Sequence, residues 1–478
     1  MKRSKLVIEL KGDDSQPLFL RLATSILSEI ERGRLVPGDR LPGTRSLALS
    51  LNVHRNTVTA AFQELMMQGW LVAEPSRGTV VAYDLPNVSL QAGKEAVVTT
   101  SEIPSDESRN VLHISDGTPD SRIMPAAEMA RAVRHALLQA PSLRGGSYGE
   151  PGGAPALRNA LAQYLAQERG LTTLPSQIMV TRGSQMAIYL AAATLLSPGD
   201  AVAVEEPGYP YAWEAFRAAG ARVIGIPVDA QGIDVTQFEN LAQHEPKLKV
   251  LYVTPHHQYP TTVTLGASRR LRLLEVARRY RLTIVEDDYD HEYRFDGRPI
   301  LPLASRASDE VPVIYIGSLS KLLSPSVRLG YASARPETLR QMIKRREAID
   351  RQGDLLLENA MAELICNGTL ARHARKARRV YEARRNILVA ELTEHFGQEI
   401  EFNTPSGGLA IWLRVRDELS ANAWAASALT AGVVVSPSSN FVLDASHTLN
   451  GLRIGYANLD EVGIRNLVRT LAECRPWQ

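Results

Sequence analysis

The chain has 478 residues, 44 % of them hydrophobic and 22 % charged, with a formal net charge of +2. That length allows two or three domains with a large core, the composition is that of a soluble globular protein, and so small a net charge means that any contact with nucleic acid has to come from a local patch. Two distant cysteines, Cys366 and Cys474, lack metal spacing and fit a reducing cytoplasm, the first residues carry too short an apolar run for a secretory signal, and the longest apolar run, Met186 to Leu196, is too short for a bilayer.

From Pro17 to Arg32, Leu18, Leu22, Ile26 and Ile30 recur every four positions, which predicts an amphipathic helix stopped by Gly33 and Pro37-Gly38. Thr44 then suits the N-cap of a short helix with Leu47, Ala48 and Leu51. A turn at Asn52-Val53 leads into a second helix from about Arg55 to Gln68, with Val58, Phe62 and Leu65 on one face. Two helices so closely joined predict a helix-turn-helix, whose second helix meets base edges with its N-terminal end. Leu71 to Ala73 and Thr79 to Ala82 flank Glu74-Pro75-Ser76-Arg77-Gly78, a hairpin with a basic tip.

The run Gly33, Leu35, Gly38, Leu41, Pro42, Arg45, Leu47, Ala48 resembles the winged helix-turn-helix of GntR-family regulators over residues 15–83. The resemblance implies double-stranded DNA contacts from Arg45, Arg55, Asn56, Thr57, Arg77 and Gly78. Gly43 and His54 depart from the family, where serine is commoner. Residues 84–110, with Pro86, Pro104 and no sustained periodicity, read as a linker.

Beyond it, apolar strands at Ile178–Thr181, Ala201–Val204, Val250–Val253, Leu282–Val285 and Val313–Ile316 alternate with helical segments such as Pro155–Glu168. This predicts an α/β fold with a mainly parallel sheet and ligand loops at the carboxyl ends of its strands. Several of those ends carry suitable chemistry. Arg182-Gly183-Ser184-Gln185 leaves free N–H groups at a helix start, a natural phosphate seat. Glu286-Asp287-Asp288-Tyr289-Asp290-His291 offers carboxylates without metal spacing, and one of them can keep a pyridine nitrogen protonated. His256 and His257, read as neighbours on a strand, point opposite ways and do not suggest a metal. After Val313–Ile316 come Gly317, Ser318, Ser320, Lys321 and, seven residues on, Arg328. A primary amine beside small hydroxyls and a guanidinium is what a phosphorylated aldehyde needs.

The pattern S-x-S-K-x-x-x-P-x-x-R-x-G-Y resembles the cofactor-lysine motif of fold-type I aminotransferases, which implies pyridoxal 5′-phosphate held on Lys321. By the same resemblance Asp287 faces the ring nitrogen, with Asp288 its neighbour, Tyr289 faces the phenolic oxygen and Tyr209 stacks on the ring. Ser184, Gln185, Ser318, Ser320 and Arg328 surround the phosphate, Tyr148 reaches the partner subunit's phosphate, and Arg453 holds an amino acid's carboxylate. Thr254 to Thr262 is similar to the family's N-P-T-G turn, but Tyr259 replaces the asparagine and Thr262 the glycine, which argues against efficient transamination. Ser406-Gly407-Gly408 and Gly451 to Tyr456 look like the smaller C-terminal α+β subdomain of that fold. The basic stretch Leu370 to Arg385 reads as a solvated helix face rather than a second DNA patch.

A GntR-type reader joined to an aminotransferase-like body, residues 111–478, resembles the MocR subfamily. That resemblance implies a cytoplasmic, homodimeric transcriptional regulator that senses pyridoxal phosphate, alone or as its aldimine with an amino acid or amine. A working aminotransferase tethered to DNA, or a degenerate body that only dimerises the reader, are the alternatives.

Overall fold

A computed structural model describes residues 17–75, 77–85, 117–139, 148–296, 300–443 and 449–476, with the backbone of 112–113. The basic N-terminal stretch, nearly all of the expected linker and the run Arg144 to Ser147 lie outside the described residues. The chain divides into two compact units, Met1–Asp106 and Glu107–Gln478.

In the first unit three helices, Leu18–Glu31, Thr44–Leu51 and Arg55–Met67, precede an antiparallel hairpin of Leu71–Glu74 and Gly78–Val81. Leu22, Ile26, Leu47, Val58, Phe62, Leu65 and Val81 form its core. Leu18 is exposed, contrary to the four-residue repeat. Each step of four turns about 40° past a full circle, so the three steps from Leu18 to Ile30 span about 120° and leave Leu18 beyond the edge of the apolar stripe. Gly43, not Thr44, occupies the cap of the second helix, and the Thr44 hydroxyl instead accepts from Arg55 Nε at 3.3 Å. The turn between the helices puts Asn52 in the left-handed region, φ 52°, which asparagine tolerates. His54 caps the next helix by accepting from the Asn56 N–H.

The second unit is built on an eight-stranded sheet. Its order is Ile178–Thr181, Gly330–Ser333, Val313–Ser318, Thr283–Asp288, Leu248–Val253, Ala201–Glu206, Arg222–Asp229, Gly232–Ile233. The central five strands are parallel, whereas Gly330–Ser333 runs antiparallel to both its neighbours. Strand alternation sorts the core. Val202, Val204, Val250, Val285 and Ile316 face the buried helix Gly183–Leu195, while Ala201, Ala203, Leu251, Val253 and Ile284 face the layer of Val235–His244 and Ala267–Arg279.

A smaller antiparallel sheet, Ile400–Glu401, Ala410–Val415, Gly451–Gly455 and Ser436–Pro437, packs with helices Ala421–Thr430 and Glu461–Glu473. The basic helix runs from Thr369 to Phe396, longer than expected. It is not simply a solvated face. Arg385 is buried and pairs with Asp296 at 2.8 Å, and Arg384 pairs with buried Asp120 at 2.9 Å.

Candidate functional site

At the carboxyl ends of the parallel strands a cleft of about 320 Å³ opens. It is lined by Ser184, Gln185, Tyr209, Asp287, Tyr289, Ser318, Ser320, Lys321 and Arg328, with Gly183 among them. These side chains come from four separate strand ends, as open parallel sheets place their ligands.

Lys321 follows strand Val313–Ser318, and its Nζ donates to the Gly117 carbonyl at 2.9 Å. The backbone here is held from behind, since the buried Tyr293 hydroxyl donates to the carbonyls of Lys321 and Leu322 at 3.2 and 3.0 Å. Arg328 takes a left-handed conformation, φ 46°, and reaches back to donate to the Arg182 carbonyl at 3.1 Å. Gly183, at φ +77°, opens the helix Gly183–Leu195; a Cβ there would lie 3.3 Å from the Arg328 guanidinium. Glycine is therefore needed both for conformation and for space. Guanidinium, helix start and the Ser318 and Ser320 hydroxyls thus surround one anion-sized seat.

Asp287 is the last residue but one of the next strand, Thr283–Asp288. One carboxylate oxygen accepts from the Tyr252 hydroxyl at 2.8 Å, while Oδ1 is buried with no hydrogen-bond partner among the described residues. Burial pushes this carboxyl up to about 7, with Asp288 and Asp290 adding to the rise and Tyr252 and Lys321 opposing it. Behind it, burial also drives Glu205 up to about 7 despite hydrogen bonds from the Thr254 N–H and hydroxyl. Asp288 faces the other way. Its burial opposes ionisation, yet Arg169 and His291 hold its carboxyl well below the usual carboxylate range, and Tyr315 donates to it at 2.7 Å.

Above the cleft the rings of Tyr209 and Tyr259 meet edge to face at 5.0 Å. The Arg453 guanidinium lies 4.5 Å from the centroid of the Tyr259 ring and donates to the Pro260 carbonyl. Thr262, in the glycine position, takes φ 63°. The two histidines are not on a strand, which ends at Val253. Instead the rings of His256 and His257 meet edge to face at 4.5 Å, so the expectation of opposite directions fails. No cluster of metal-ligating side chains occurs among the described residues.

Tyr148 is not brought to the cleft of its own chain; it is exposed and stacks under Arg351 at 4.1 Å. Thr118, Tyr211 and Tyr252, outside the motifs, also line the cleft, as do Thr254 and Pro325, motif residues with no expected role. In the first unit Arg45, Arg55, Asn56, Arg77 and Gly78 are exposed and Thr57 is partly so.

The cleft fits pyridoxal 5′-phosphate. A buried carboxylate oxygen awaits a ring N–H, a glycine-guanidinium cradle awaits a phosphate, and an amine stands between them. Fold and site thus define a pyridoxal-phosphate-binding body of aminotransferase type on a chain that begins with a winged helix-turn-helix. Residues 114–471 match the family model "Aminotransferase class I and II", and residues 18–81 match "Bacterial regulatory proteins, gntR family". A probable rhizopine catabolism regulatory protein, MocR of Rhizobium meliloti, is 32 % identical over 97 % of this chain and 95 % of its own. The pyridoxine biosynthesis transcriptional regulator PdxR of Corynebacterium glutamicum is 30 % identical over 80 % of each. The α-aminoadipate aminotransferase LysN of Thermus thermophilus superposes with a TM-score of 0.70 at 30 % identity, covering 77 % of this chain and 92 % of that one. The chain belongs to the MocR family of GntR-type transcriptional regulators, with an aminotransferase class I and II body that binds pyridoxal phosphate.

Proposed function

We propose that residues 15–83 read a double-stranded DNA operator, that residues 84–110 link them to a sensing body over 111–478, and that an amino acid or amine is the signal. Pyridoxal phosphate, when bound, supplies an aldehyde that condenses reversibly with a primary amine. Lys321 gives that amine at rest. Asp287 accepts from the ring nitrogen, Tyr289 faces the phenolic oxygen and Tyr209 covers the ring. Ser184, Gln185, Ser318, Ser320 and Arg328 hold the phosphate, and Tyr148 reaches that of the partner subunit in a homodimer. Arg453 takes the effector's carboxylate, a bidentate task suited to guanidinium. Arg45, Arg55, Asn56 and Thr57 face the major groove, with Arg77 and Gly78 on the wing. An effector moves the reader only if it binds two arrangements of the protein unequally. The working compartment is the cytoplasm.

The convergence of Lys321, Asp287 and Arg328 on one cleft carries this reading. A tethered aminotransferase shares those residues, but Tyr259 stands where that chemistry uses an asparagine, and its ring is engaged with Tyr209 and Arg453. The test is borohydride reduction of the native protein followed by peptide mapping, with operator binding measured with and without an amino-acid panel. Coenzyme fixed to Lys321 and an operator affinity that changes with one amino compound are expected. Failure to fix coenzyme overturns the sensor, and sustained turnover with amino donors and 2-oxo acids favours the enzyme.

A further inference from the structure

A second cavity, of about 240 Å³, opens near the acidic strand but shares no lining residue with the coenzyme cleft. Strand alternation separates the two, since Asp287 turns toward Tyr252 and Lys321 whereas Asp288 turns toward Arg169 and His291. His256 and Arg169 are buried in its wall, and Arg375 and Arg378, one helical turn apart, are exposed at its rim.

Its polar groups are unusually short of partners. His256 is 3 % exposed, and neither ring nitrogen has a hydrogen-bond partner among the described residues. Burial, with His257 beside it, keeps this imidazole neutral, so it presents one N–H and one lone pair. Arg294 has Nε and Nη1 buried without a hydrogen-bond partner among the described residues. Arg375 and Arg378 form no ion pair among the described residues. Buried polar groups in folded proteins are almost always paired, so a set of unmatched donors around one cavity asks for a ligand.

The charge balance selects its sign. Glu168 and Glu292 also line the cavity. Glu292 is pushed up by burial; one of its oxygens accepts from the Tyr164 hydroxyl at 2.7 Å and the other is buried without a hydrogen-bond partner among the described residues, while Asp288, behind Arg169, neutralises that one guanidinium. Even with the carboxylates of Glu168 and Glu292 both counted against them, the three guanidiniums of Arg294, Arg375 and Arg378 leave net positive charge for a guest.

We propose that this cavity is a second ligand site, separate from the coenzyme cleft, for a small dianionic oxyanion held by Arg294, Arg375, Arg378 and the N–H of His256. Phosphate and a short dicarboxylate share that chemistry. The test is calorimetric titration of the full-length, coenzyme-loaded protein with sodium phosphate and, separately, sodium succinate, at matched ionic strength. Saturable binding of at least one is expected, and which one identifies the source. The Arg375→Ala/Arg378→Ala double variant, changed only at exposed positions, loses about tenfold or more in affinity, Arg294→Ala loses a similar factor, and Arg328→Ala leaves binding intact. Absence of saturable heat with both anions, an unchanged affinity in the double variant, or a loss confined to Arg328→Ala each overturns the site; the last outcome puts the anion in the coenzyme's phosphate seat instead.

Discussion

The guanidinium of Arg453 rests 4.5 Å from the centroid of the Tyr259 ring, so the cation proposed to take the effector's carboxylate is mounted on the tyrosine expected in place of the aminotransferase asparagine. Removing the ring in Tyr259→Ala withdraws a cation–π contact of about 0.5–2 kcal/mol, which is about twofold to thirtyfold in affinity. The loss is expected for an amino acid and not for the corresponding decarboxylated amine, as read by spectral titration of the coenzyme. Equal losses for both would show general damage to the cleft and refute a role through Arg453.

Lys321→Ala removes the primary amine that borohydride would fix to the coenzyme. Loss of borohydride-stable incorporation is expected while the purified chain remains folded by circular dichroism. Tyr293 anchors the backbone carbonyls of Lys321 and Leu322 and not the amine, so Tyr293→Phe is expected to keep the covalent link.

Asp287 makes coenzyme-free protein sensitive to pH. Its folded-state carboxyl lies at about 7 against an ordinary value of 3.8, so the folded chain binds the proton more tightly than the unfolded one. The stability this confers is complete at pH values below the ordinary carboxylate range and is lost as pH rises through about 7, with a limiting slope of about 1.4 kcal/mol per pH unit. Glu205 and Glu286, also pushed up to about 7 by burial, act in the same direction. Asp287→Asn removes one such group, so the variant's Tm is expected to fall less between mildly acidic and mildly basic buffer than that of coenzyme-free wild type. Parallel curves would remove Asp287 from this account. The same variant is expected to hold coenzyme less tightly, because an amide does not keep a pyridine ring protonated.

On DNA, Arg55→Ala and Arg77→Ala are expected to differ in kind. Arg55 opens the second helix of the motif, and its loss should cost about 1–3 kcal/mol on the operator and relax preference at one position. Arg77 sits at the wing, where its Nη1 meets the Tyr83 hydroxyl at 2.8 Å. Its loss should weaken binding to all sequences alike and lower the salt slope by about one. Titrations on operator and scrambled duplexes at several salt concentrations separate the two.

Much of the architecture is legible in the chain because buried parallel strands are short apolar runs, and the residues that end them are small, acidic or basic in telling combinations. Ile178–Thr181 and Val313–Ile316 announce themselves in this way. The wall opposite Lys321 does not. Its contact with Gly117 spans 204 residues, and the turn Gly117-Thr118-Pro119-Asp120 is too short to suggest more than a bend. Tyr252 hides differently: its ring belongs to an apolar strand, and only the fold shows its hydroxyl against Asp287. Gly330–Ser333 escapes notice because it is four residues long, too short to show periodicity, and its first two close the lysine motif. The paired histidines depart from the alternation expected of them because the strand ends before it reaches them, so the pleat no longer governs their directions.

The acidic strand acts as a partition. Glu286 accepts from the Leu303 and Ala304 N–H groups, Asp288 meets Arg169, and Asp287 between them turns to the opposite room. The pleat therefore sets the middle carboxyl apart from its two neighbours, which share the other face and are told apart by the groups they meet there. Sliding that strand by a single residue would leave the inventory of charges untouched, yet it would carry the carboxyl now beside Tyr252 across to Arg169 and set a neighbour's in its place.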